Sequence, residues 1–289
     1  MTTSDTDKNP VPRSSRKPVL THTSPKRLLN PASGFLSGYT HTLNPYVGCA
    51  FSCSYCYVRE MPVAKFRGAP WGGWVDIKAE TAAQLGRELE RAGRKAPVTV
   101  FMSSSTDPYQ PAEYEARVTR SWLEAMADSD ALQFVMVQTR SPLVTRDLDV
   151  LQRLGSRVRV SMTIETDLDA MRKLFSPAAP PIAARLNALR QLAEAGIQTQ
   201  AAVSPLLPCS GEFAARLAAT GVQRVALDDY FRGDGSLGRR TERLGIRELY
   251  VRHGLEAWYD REALDRVRAE LEAQFGADLV RVSQEGFLP

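Results

Sequence analysis

The stretch Asn44-Pro-Tyr-Val-Gly-Cys-Ala-Phe-Ser-Cys-Ser-Tyr-Cys-Tyr-Val-Arg59 carries Cys49, Cys53 and Cys56 in a C-x3-C-x2-C spacing, with an aromatic residue, Tyr55, just before the third. Three thiolates this close in one loop suit an iron-sulfur cluster. A four-iron cube normally takes four thiolates, so a loop that provides three leaves one iron open, and an open coordination position is where metal chemistry takes place. On this ground the chain reads as an enzyme. Structural zinc wants four ligands, often as two separated cysteine pairs; here the candidates for a fourth are Cys209, His22, His41 and His253. A disulfide framework is not called for, because a chain of 289 residues buries a large core without staples.

The triplet resembles the signature of the radical S-adenosylmethionine (SAM) enzymes, and Asn44-Pro45-Tyr46, Gly48-Cys49, Tyr55-Cys56-Tyr57 and Arg59 are similar to the branch that contains spore photoproduct lyase. The resemblance implies that Cys49, Cys53 and Cys56 bind three irons of a [4Fe-4S] cluster while the amino and carboxylate groups of S-adenosylmethionine chelate the fourth. It also implies reductive cleavage of S-adenosylmethionine to a 5′-deoxyadenosyl radical, fed by a one-electron reductant such as flavodoxin or ferredoxin.

Composition sets the outer limits. With 43% hydrophobic and 24% charged residues the chain falls in the ordinary globular range. No apolar run approaches the ~18 residues needed to cross a bilayer, and the N-terminus is polar and proline-bearing instead of carrying a signal core. A cytoplasmic protein with no membrane partner is the expectation. The formal charge of +4 is confined to residues 1–35, where Lys8, Arg13, Arg16, Lys17, Lys26 and Arg27 stand against Asp5 and Asp7. A basic arm contacts phosphates without sequence preference; the balanced remainder says little about a polyanion groove, although Arg239, Arg240 and Arg243 form a local cluster.

Residues 1–35, rich in Ser, Thr, Pro and basic side chains, read as a disordered or loosely docked arm. A β/α alternation follows. Short β-branched runs fall at residues 42–46, 98–102, 132–137, 158–164, 197–203 and 222–227, separated by segments with helical periodicity at 81–92, 113–127, 148–154, 182–195 and 212–219. Several of these helices stop at Gly155, Gly196 or Gly221. Repeated βα units with right-handed crossovers build a parallel sheet or curved barrel, and six units suit the partial (β/α)6 barrel that the resemblance implies, over residues 36–240. Residues 241–289 read as a C-terminal helical extension, clearest at 261–275, with a strand at 278–282.

In such folds ligands sit at the carboxyl ends of the strands. The loop after the second strand, Ser103-Ser-Ser-Thr-Asp-Pro-Tyr-Gln-Pro-Ala-Glu113, is polar enough to bind a zwitterion, and the resemblance assigns Ser104, Thr106 and Asp107 to the amino group of S-adenosylmethionine; a plain turn and helix cap has the same composition. Strand four ends in Ser161-Met-Thr-Ile-Glu-Thr-Asp167, where Ser161, Thr163 and Glu165 share a face. The resemblance gives Ser161 and Glu165 to the ribose and methionine carboxylate, whereas on local grounds Glu165 simply opens the next helix. Tyr55 and the Pro205-Leu-Leu-Pro208 segment would flank the adenine, or pack in the core. Cys209 is either a hydrogen-atom donor facing the active site or a buried spare thiol. Spore photoproduct lyase has its donor cysteine soon after the cluster; here no cysteine stands between Cys56 and Cys209.

Three functions are therefore in play. The first is a radical SAM enzyme, with a DNA-lesion lyase of the spore photoproduct type, acting in DNA repair, as its specific form. The second is a radical SAM enzyme acting on tRNA or a small molecule. The third is a zinc-stabilised, non-catalytic nucleic-acid-binding protein.

Overall fold

The computed structural model describes residues 17–233 and 235–289. Their strands, in chain order, are β1 Val19–His22, β2 Asn30–Pro31, β3 His41–Leu43, β4 Tyr46–Val47, β5 Trp74–Ile77, β6 Val98–Met102, β7 Leu132–Thr139, β8 Val158–Thr163, β9 Gln198–Val203, β10 Val225–Leu227 and β11 Val280–Val282. The main sheet has the order β11-β10-β9-β8-β7-β6-β3-β2. All its pairings are parallel except β2 with β3. The βα units read from the sequence are present, and the strand expected near the tail joins them as a further parallel strand, Val225 standing beside Val280.

Alternation along the strands sorts the side chains into two layers. Val98, Val100, Val135, Val137, Val158, Val160, Val203, Val225 and Val280 face outward into one large core under the helices. Phe101, Phe134, Met136, Ala202 and Ala226 face inward and pack with Tyr39 and Phe287. The sheet does not close on itself. Its two edges are bridged by side chains, Gln284 Nε2 donating to the Phe35 carbonyl at 2.9 Å and the Phe35 and Phe287 rings lying 5.9 Å apart.

Of the arm expected over residues 1–35, residues 1–16 lie outside the described residues. From Val19 the chain takes part in structure, because β1 pairs in parallel with β5, which pairs antiparallel with β4 in a small second sheet. The 113–127 helix is broken at Arg117, whose backbone is left-handed at φ +49°, into Glu113–Ala116 and Val118–Ala127. The helices at 82–93, 148–154, 182–194, 213–218 and 261–275 match the periodicity closely. Ile246, Leu249 and Tyr250 of the C-terminal extension pack against Phe51, Cys53, Tyr55 and Phe175, which covers the back of the cysteine loop. Among the described residues, no helix is long and apolar enough to cross a membrane.

Candidate active site

The cysteine loop leaves β4 through Gly48, at φ +87°, where a Cβ would lie 2.5 Å from the Trp74 carbonyl oxygen. Only glycine fits there. Three tight turns follow, each opened by a cysteine: the amides of Ser52, Cys56 and Arg59 donate to the carbonyls of Cys49, Cys53 and Cys56 at 3.2, 3.2 and 3.0 Å. The chain therefore reverses after every cysteine, and the three thiols return to the wall of one cavity of about 550 Å³, a size typical of small-ligand sites. Among the described residues no three His, Cys, Asp or Glu side chains close round a position for a single metal ion. The thiols share a cavity wall instead.

The loop after β6 clamps this turn structure. Thr106 Oγ1 donates to the Gly48 carbonyl at 2.6 Å, Gln110 Nε2 donates to the same oxygen at 3.2 Å, and Gln110 Oε1 accepts from the Ala50 amide at 2.9 Å. The backbone on either side of Cys49 is thus held by two side chains of the second loop. Ser103, Ser104, Ser105, Thr106 and Asp107 all line the cavity. Ser103 has a left-handed backbone, φ +76°, and its buried hydroxyl has no hydrogen-bond partner. Asp107 is fully engaged: Oδ1 accepts from the Tyr109 amide and the Thr139 hydroxyl at 2.9 and 2.7 Å, and Oδ2 accepts from the Arg140 amide at 2.8 Å. Burial pushes its carboxyl pKa up and outweighs these bonds, which lower it.

Arg140, at the end of β7, joins the loops. Its Nη1 lies 2.9 Å from Cys53 Sγ, 2.8 Å from the Tyr55 hydroxyl and 2.7 Å from Glu165 Oε1. Glu165 accepts on its other oxygen from Arg185 Nη1 at 2.6 Å, and the Tyr55 hydroxyl donates to it as well. Glu165 and Arg185 are buried, at 1% and 0% exposed. Burial pushes the Glu165 carboxyl up, but Arg185 and Arg140 together hold it below the usual range. Burial also pushes the three thiols up, Cys56 to about 11. Since the thiolate is the metal ligand, a cation beside Cys53 favours the ionised form that a cluster needs.

The structure brings Cys49, Cys53, Cys56, Tyr55, Ser104, Thr106 and Asp107 onto the cavity wall. Glu165 stands behind that wall, reached through Tyr55 and Arg140, so it braces the site from within. Ser161 points inward on β8 below the cavity and accepts from Gln200 Nε2 at 3.0 Å, while Thr163, two residues on, lines the wall. Cys209 does not reach the cavity. Thr166 Oγ1 donates to the Pro208 carbonyl at 2.6 Å and Asp167 takes the Ser210 amide at 2.9 Å, which turns the segment outward, where Cys209 packs against the outer core. Burial, with Asp167 and Glu270 nearby, pushes its thiol up to about 12.

Sequence reading missed Gln110, Arg140 and Arg185, and also Asp228 at the end of β10. Asp228 lines the cavity at 1% exposure; its Oδ1 accepts from the Asp229 amide at 2.9 Å, and its Oδ2 has no hydrogen-bond partner among the described residues. Burial pushes its carboxyl up to about 7. The available signal was positional: Arg140 and Asp228-Asp229 directly follow strands at the ligand-binding end.

Comparison with known proteins bears on the family and the fold. The sequence profile of the Radical SAM superfamily matches residues 43–208, which is more than half of the chain. An uncharacterised protein of Methanocaldococcus jannaschii is 32% identical over 183 residues, covering 63% of this chain and 66% of that protein. A radical SAM Nα-GlyT isomerase of Pseudomonas phage M6 is 28% identical over 166 residues, 57% of this chain and 32% of the phage protein. The chain spans about half to two thirds of the length of the first curated relatives it matches. Among solved structures, a spore photoproduct lyase variant with bound S-adenosylmethionine and dinucleoside spore photoproduct superposes with a TM-score of 0.66 at 16% identity, covering 91% of this chain and 81% of that one. At that identity the likeness is one of fold.

Proposed function

Because the chain belongs to the radical SAM superfamily, whose enzymes work with a [4Fe-4S] cluster and S-adenosylmethionine, we propose that Cys49, Cys53 and Cys56 hold that cluster and that the chain is a lyase acting on a lesion in DNA. The observation that carries the reading is that three thiols, the polar loop after β6 and the Arg140 guanidinium all face one cavity. The donor set suits the group: three sulfur ligands, a buried Ser103 hydroxyl without a partner, and a cation beside Cys53. When bound, cluster and S-adenosylmethionine together supply one-electron cleavage of the sulfonium to a 5′-deoxyadenosyl radical.

The protein's own residues bind, orient and exclude. Of the cavity-lining residues, Ser103 and Ser104 would accept from the ammonium of S-adenosylmethionine, Arg140 would take its carboxylate, Tyr55 would serve the adenine and Thr163 the ribose. Thr106 and Gln110 keep the Cys49 turn in place, and Phe101, Phe35 and Phe287 give the cavity an apolar floor that keeps water from reactive species. A nucleic-acid substrate is supported by the solved fold neighbour with its bound dinucleoside photoproduct and by Arg240 on the cavity wall, set to meet a phosphate. Electrons come from an external reductant of the flavodoxin or ferredoxin class.

Anaerobic reconstitution tests the reading. The expected protein is brown, holds about four irons with matching sulfide and releases 5′-deoxyadenosine when reduced with S-adenosylmethionine. Cys53→Ala loses both the colour and the product; retention of both overturns the assignment. Salt-sensitive binding that favours lesion-bearing over intact duplex supports the DNA substrate, and equal binding without turnover rejects it.

A further inference from the structure

The inner face of the barrel changes character along its axis. At the end away from the cysteine loop, Arg159 and Arg224 stand near the starts of β8 and β10, on the inward face that carries Ser161 and Thr163 in one strand and Ala226 and Asp228 in the other. Arg281 of β11 is beside Ala226. The Arg159 guanidinium lies 5.2 Å from the centre of the Phe134 ring, and its Nη1 donates to the Leu288 carbonyl at 3.3 Å. Arg224 Nη2 donates to the Glu285 carbonyl at 3.1 Å. Between these cations and the cavity lies the aromatic layer of Phe101, Phe134 and Phe287.

Three facts together mark this floor, and the first separates it from an ion-pair cluster. Among the described residues, the ionisable neighbours that act on Arg159 and Arg224 are arginines and Tyr39, with no carboxylate among them. The Arg224 Nε is buried and has no hydrogen-bond partner among the described residues. The Tyr39 hydroxyl, on a residue 4% exposed and within electrostatic reach of both arginines, is also buried and without a partner. An arginine cannot escape an unfavourable site by losing its proton, and like charges gathered without a counter-charge repel. A ligand rich in acceptors, admitted by a shift of the partly exposed Arg159 and Arg224 side chains, relieves all three conditions together.

We propose that the floor of the barrel is a binding site for a phosphate-type oxyanion, held by Arg159 and Arg224 with Arg281 at the rim and the Tyr39 hydroxyl as a further donor. Planar guanidinium forks match the oxygens of phosphate in pairs, and a tetrahedral anion accepts from several directions at once. The arginines also hold the carbonyls of Glu285 and Leu288, which flank Phe287 of the cavity floor, so the anion steadies the same segment that closes the cavity from below.

Thermal unfolding of the full chain without cluster, in inorganic phosphate against chloride at equal ionic strength, tests this independently of catalysis. Wild type shows a saturable rise in midpoint with phosphate, because a ligand that binds the folded state stabilises it by mass action. Arg224→Gln loses the saturable part. Tyr39→Phe, which removes only the unpaired hydroxyl, is at least as stable as wild type in chloride yet binds phosphate about tenfold more weakly. Arg153→Gln, at an exposed pair with Asp128, responds as wild type. A short single-stranded oligonucleotide that displaces phosphate identifies the source as a nucleic-acid backbone, and one that does not identifies the free anion. If wild type responds to phosphate no more than to chloride, or if Tyr39→Phe and Arg224→Gln both respond as wild type does, the site does not exist.

Discussion

The two ends of one barrel treat the same residue type in opposite ways. At the mouth Arg140 and Arg185 both rest on Glu165, at 2.7 and 2.6 Å, and the Arg140 amide meets Asp107 as well. At the floor Arg159 and Arg224 meet backbone carbonyls and each other's field. A charge fixed by an internal carboxylate is held in place before any ligand arrives, which is what a site that must orient a small molecule needs. A charge without one awaits a partner from outside. The mouth arginines have an internal counter-charge and the floor arginines have none, although Arg185 Nη2, like Arg224 Nε, is buried without a hydrogen-bond partner among the described residues.

The comparison is most easily broken at Glu165. Glu165→Gln keeps the volume but leaves Arg185 buried without a counter-charge, and the expected cost is about 3–5 kcal/mol, read as a lower urea midpoint with unchanged slope. A loss under ~1 kcal/mol, the scale of exposed pairs, would show that the mouth network contributes no more than surface charges do.

Asp228 is a different case at the mouth, an acid whose Oδ2 has no hydrogen-bond partner among the described residues. Its folded pKa is raised to about 7 from an unfolded value near ~3.9, so between those limits the folded chain holds more protons than the unfolded one. The stabilisation is complete at low pH and falls as pH rises through that window, levelling off above it. Asp228→Asn removes this decline and is more stable than wild type at pH 8, by roughly 1–2 kcal/mol, in unfolding curves taken across pH. A parallel pH dependence in the variant assigns the decline to another group.

The smallest effect belongs to the floor. In chloride, Tyr39→Phe changes stability by under ~1 kcal/mol, in the stabilising direction, whereas a loss comparable to that of Glu165→Gln would mean that the hydroxyl already has a partner.

The mouth was more legible in the sequence than the floor, and the reason is local. Cys49, Cys53 and Cys56 declare themselves by spacing, and the β-branched runs at residues 98–102 and 132–137 give their strands by composition alone. Arg140 touches Cys53 although the two are 87 positions apart, and Arg185 reaches Glu165 across 20; Arg140 is marked by its place after a strand alone, and nothing in the residues around Arg185 marks it. The strand Trp74–Ile77 was missed because its partners, Val19–His22 and Tyr46–Val47, are short and come from separate parts of the chain. Cys209 sat at a strand end where a ligand-facing residue is expected, but the Thr166 hydroxyl and the Asp167 carboxylate, remote in sequence, turn its backbone away from the cavity. The floor arginines begin strands that read correctly, yet only the barrel's curvature brings them together.

The pairing of β10 with β11 has a consequence for how the chain is made. On the ribosome, Val225–Leu227 emerges well before Val280–Val282, the segment that covers its free edge. Until then a nascent chain presents an unsatisfied row of amides and carbonyls, the kind of edge on which neighbouring chains aggregate, and the long connection makes its closure slow compared with the helices formed on the way. Truncation or ribosome stalling between Leu227 and Val280 should therefore yield insoluble protein even though every residue of the cysteine loop and its clamp has already been synthesised.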